Sequence, residues 1–83
     1  MKTVFKYPIE ITEHQQIEMP SGSELRYIDI DPNGVPCIWA VVNTDSPIIL
    51  ADIYIYGTGH PIPAGRNYLK SFQQGSKVYH VFF

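Results

Sequence analysis

Gly57-Thr58-Gly59-His60-Pro61-Ile62-Pro63 concentrates the residue types most suited to chemistry in this chain. Two glycines flank a hydroxyl, and a histidine follows that the next proline holds in extended backbone. Converging backbone N–H groups of Thr58 and Gly59, the Thr58 hydroxyl and the His60 imidazole suit an anion or a small ligand. Arg66 follows closely enough to balance a negative charge, with Lys70 beyond it, and Tyr56 precedes the loop with a ring able to stack. The expected ligand site is therefore Tyr56, Thr58, Gly59, His60 and Arg66. The competing reading is a structural corner, with glycines for the bends and prolines for stiffness. The spacing matches neither a Walker loop nor a dinucleotide fingerprint.

The other reactive side chains carry less. His14, His60 and His80 lie far apart and lack ligand spacing, so no metal is expected. His80 alternates with Tyr79 and Val81 and reads as a satisfied histidine within a sheet. Cys37 sits in an apolar run with no adjacent cation to activate it, which predicts a buried, inert thiol. Glu10, Glu13 and Glu18 read as a solvated acidic face. No catalytic set is complete and no cofactor is implied, so the expectation is a non-enzymatic protein.

The elements that position these residues read as strand and turn throughout. Val4 to Ile11 forms a first extended run in which Pro8 needs an edge or a bulge. Thr12-Glu13-His14-Gln15 resembles a one-turn capping box. Ile17–Met19 extends again to a turn at Pro20–Ser23, and Leu25–Ile30 follows. Asp31-Pro32-Asn33-Gly34 predicts a type I turn with Gly34 at positive φ, pairing Leu25–Ile30 with Val35–Val42. Ile48–Tyr56 is the next strand, and Tyr68–Phe72 pairs with Val78–Phe83 across Gln74-Gly75-Ser76. The expected fold is one all-β domain over 1–83, a small antiparallel barrel or sandwich of five to seven strands.

Composition bounds the rest. With 83 residues, a lone core is near its lower useful size. The net charge of −2 argues against sequence-independent phosphate binding, so no nucleic-acid partner is expected. No long apolar run or targeting arm is present, which predicts neither membrane insertion nor export. Charged residues are only 17% and apolar ones 45%. Val35–Val42 and Ile48–Tyr56 are apolar on both faces, where a half-solvated sheet would alternate. Either the sheet folds over itself or a second copy covers it, and a homo-oligomer is expected.

Lys6-Tyr7, Ile17-Glu18-Met19-Pro20, Cys37-Ile38-Trp39-Ala40, Gly57-Thr58-Gly59-His60-Pro61-Ile62 and His80-Val81-Phe82 together resemble a family of small proteins from tailed phages and prophages. The resemblance spans nearly the whole chain, with the Trp-Ala and Gly-Thr-Gly-His-Pro elements its most specific parts. The ending in Phe83 departs from it. The resemblance implies a phage origin and action in the host bacterial cytoplasm, and it transfers no catalytic residue. The function expected is an accessory protein that counters host defence by binding a small nucleotide-like ligand or a host defence protein. The alternative is a structural or assembly accessory that only self-associates.

Overall fold

The computed structural model describes residues 1–83 as seven strands in two antiparallel sheets, with no helix. The strands are β1 (Lys2–Pro8), β2 (His14–Pro20), β3 (Glu24–Ile30), β4 (Pro36–Asn43), β5 (Ile48–Gly57), β6 (Tyr68–Gln74) and β7 (Lys77–Phe82). One sheet has the order β1-β4-β3 and the other β2-β5-β7-β6. The architecture is a sandwich rather than a closed barrel. No helix is long and apolar enough to cross a membrane.

Local chemistry explains the hairpins. Gly34 donates to Asp31 O at 2.9 Å and has φ of 81°, while Asp31 Oδ1 accepts from the N–H groups of Asn33 and Val35. That geometry joins β3 to β4 and sets Ile30 opposite Pro36. Gly75, with φ of 62°, opens the two-residue turn that puts Gln74 opposite Lys77. Pro8 ends the edge strand β1, where its missing N–H costs no ladder bond.

The segment Thr12–Gln15 is not a helical turn. Residues 11–13 bend, and β2 begins already at His14. The Gln15 side chain reaches back instead, accepting from the Glu10 N–H and donating to the Glu10 carbonyl. Ile17 continues the strand, and the bend is satisfied without a capping box.

The core lies between the sheets and consists of Ile9, Ile28, Ile38, Ile53, Ile55, Phe72 and Val81. Pairing explains the two-faced apolar pattern of β4. Pro36, Ile38, Ala40 and Val42 are buried inward, and on the other face Cys37 is also buried while Trp39 and Val41 are half-buried. Trp39 packs against Tyr27 at 5.5 Å between ring centroids. Cys37 is buried as its setting predicts, and that burial pushes its thiol up. On β5 the pattern splits: Ile53 and Ile55 are core, whereas Ile48, Ile49 and Leu50 are exposed.

Candidate functional site

The β5 strand runs directly into the glycine loop. His60 N–H donates to Gly57 O at 3.1 Å and Gly59 has φ of 86°, a four-residue turn with the left-handed residue third. A side chain other than glycine is strained there. Gly57 serves a different purpose. A Cβ at that position would stand 3.0 Å from His60 Cε1, so the missing side chain is what admits the imidazole.

The Thr58 hydroxyl is turned toward β7. Its Oγ1 lies 3.3 Å from Val78 O and 2.8 Å from His80 Nε2, and Ser71 Oγ lies 2.6 Å from His80 Nδ1. Tyr68 OH completes the row at 2.8 Å from Ser71 Oγ. The Thr58 hydroxyl can donate to the Val78 carbonyl and accept from His80 Nε2–H, which sets one direction for the row. His80 Nδ1 then accepts from Ser71, which accepts from Tyr68. His80 is the satisfied sheet histidine expected of it. Its partners come from β6 and the glycine loop.

His60 stands between two clefts. One of about 540 Å³ is lined by Thr58, His60, Ser76, Lys77, Val78 and Tyr79 together with Gly57. The other, of about 370 Å³, shares Gly57, His60 and Tyr79 with it and takes in Ile11, Glu13, Ile55 and Tyr56. The larger cleft combines an imidazole, two hydroxyls, a phenol and one ammonium, and no carboxylate lines it. A third cleft of about 570 Å³ lies at the other end of β5, and its polar lining includes two carboxylates, Glu24 and Asp52, beside Ser23 and Arg26.

The five expected site residues divide. Thr58, Gly59 and His60 share the turn, but Arg66 lines neither cleft at His60. Its guanidinium carbon sits 3.7 Å over the Tyr54 ring and its Nε donates to Tyr56 OH at 3.3 Å. Tyr56 is buried, its ring set edge-on to Phe82 at 5.7 Å, and it presents no open face for stacking. The same outer face of the sheet carries His14, stacked on Tyr54 at 4.8 Å and bonded to Asp52 at 2.8 Å. That His14 contact, with a second from Gln16, holds the Asp52 carboxyl below the usual range. Sequence reading missed Ser76, Lys77, Tyr79 and His80 as neighbours of the loop. The pairing of Gly57 with Tyr79 brings them there, and no local signal carries that pairing.

The family of the domain of unknown function DUF7352 matches residues 1–83, and the chain belongs to that family. No curated protein and no solved structure matches the chain.

Proposed function

We propose that this chain is a non-enzymatic binding domain that takes a small anionic, nucleotide-like ligand in the cleft between His60 and Lys77. The observation that carries the reading is the composition of that cleft: one ammonium, one imidazole and hydroxyl groups, without a carboxylate lining it. Its volume falls in the range of small-ligand sites. Lys77 takes the charge-balancing role first expected of Arg66. In the setting that the sequence resemblance implies, the protein is a phage accessory factor that sequesters a nucleotide signal in the host cytoplasm.

Thermal unfolding with a panel of mono-, di- and cyclic nucleotides, and with inorganic phosphate, tests this. A ligand at 100 times its dissociation constant adds about 2.7 kcal/mol of stability by mass action. Lys77→Ala should abolish the shift. Gly57→Ala should weaken it by displacing the His60 ring, while the fold stays intact. An unchanged melting temperature with every nucleotide at millimolar concentration would leave self-association as the function.

A further inference from the structure

The two halves of β5 have different neighbours. Tyr54–Gly57 pairs with β7, but Ile48–Ile53 pairs only with β2. On its other side this half has no hydrogen-bonded strand, so its backbone N–H and C=O groups form a free sheet edge. Such edges invite pairing with another chain unless charge, proline or a bulge blocks them. The remaining edges here are blocked. β1 carries Lys2, Lys6 and Pro8, β2 carries Glu18, β3 has Glu24, Arg26 and a bulge after Leu25, and β6 has Lys70 with a bulge after Tyr68.

Within this half the one charge is Asp52, which is held on the β2 side by His14 and Gln16, and Ile48–Ala51 has none of these devices. Ile48, Ile49 and Leu50 are 61%, 45% and 55% exposed in succession. Since successive side chains point to opposite faces, both faces of the sheet are uncovered at this edge. Exposed Phe83 borders the same cleft, alongside Leu25 and Met19.

We propose that this free edge of β5 pairs antiparallel with the same edge of a second copy, joining two four-stranded sheets about a two-fold axis. A two-fold interface has to be complementary to itself. Ile48–Ala51 set against itself opposes no like charges, whereas β1 set against itself would oppose lysines. Ile48, Ile49, Leu50 and Phe83, each 45–61% exposed, form the apolar centre of that contact. Ser23–Arg26 lines the cleft along this edge and stands at the rim of the contact. The cleft at His60 lies at the opposite end of β5 and stays open in such a dimer.

Sedimentation at high micromolar concentration should show twice the 9.5 kDa chain mass. The double variant Ile48→Lys/Leu50→Lys should raise the dimer dissociation constant by at least ~100-fold, because like charges then meet across the axis. Its circular dichroism should match the parent's. Val4→Lys, on the exposed outer edge of β1, should leave the dimer intact. In the parent chain, amide exchange within Ile48–Ala51 should slow as concentration rises through the dissociation constant, a readout that needs no variant. A parent chain that stays monomeric, a dimer that survives the double variant, a Val4→Lys change that dissociates it equally, or exchange indifferent to concentration would each overturn the proposal.

Discussion

Thr58 Oγ1 stands 2.8 Å from His80 Nε2, and this contact ties the glycine loop to the middle of a strand 22 residues further along. With Thr58 donating to the Val78 carbonyl, the row from Tyr68 through Ser71 and His80 to Thr58 carries the His80 proton on Nε2. Ring nitrogen chemical shifts at neutral pH should therefore report a proton on Nε2. Thr58→Val should leave that N–H to solvent and cost about 0.5–1.5 kcal/mol, the net value of one such bond. A proton on Nδ1 in the parent chain would reverse the row and refute the assignment.

Acid should destabilise the fold through three carboxyls. The Val35 N–H holds Asp31 below the usual carboxylate range, aided by Lys6 and Asn33. The Tyr27 hydroxyl and Ile30 N–H lower Asp29, and His14 with Gln16 lowers Asp52. Each group takes up a proton more readily in the unfolded chain. The stability they contribute is complete above the unfolded value of about 3.9, and it is lost as pH falls through the folded values. The melting temperature should be level from neutral pH to about 5 and fall steeply below about 4. Asp31→Asn keeps an acceptor for Val35 but removes the charge, so its acid decline should be shallower. A variant as acid-sensitive as the parent would place the titration elsewhere.

The parts of this architecture legible in the sequence are those written locally. Asp31-Pro32-Asn33-Gly34 specifies its hairpin because the carboxylate, the proline ring and the left-handed glycine act within five residues. Gly57–His60 is legible as a break for the same reason. The neighbours of Thr58 are not, since the register of β5 against β7 selects them from over twenty residues away. Closeness in sequence points Arg66 toward the loop, yet strand alternation presents Tyr54 and Tyr56 together on the outer face, and the guanidinium follows them. Likewise, β5 reads as apolar on both faces throughout. Only the topology reveals that β7 covers one end and leaves the other open.

Burial along β5 predicts opposite outcomes for two aliphatic residues three positions apart. Both lie on the half that pairs only with β2, but Ile53 is fully buried between the sheets while Leu50, on the opposite face and nearer the start of the strand, is 55% exposed. Ile53→Ala removes buried methyl groups and leaves a cavity, at a cost of about 2–5 kcal/mol. In a domain of this size total stability is only about 5–15 kcal/mol, so the variant should melt many degrees lower or fail to fold. Leu50→Ala should change the stability of the isolated chain by no more than about 0.5 kcal/mol. Its effect belongs to association instead: the concentration dependence of the melting temperature should weaken while the dilute-solution value stays put. Chemical denaturation of both variants at two protein concentrations separates the cases. Equal losses for Ile53→Ala and Leu50→Ala at low concentration would mean that the N-terminal half of β5 is core, and the free edge would not exist.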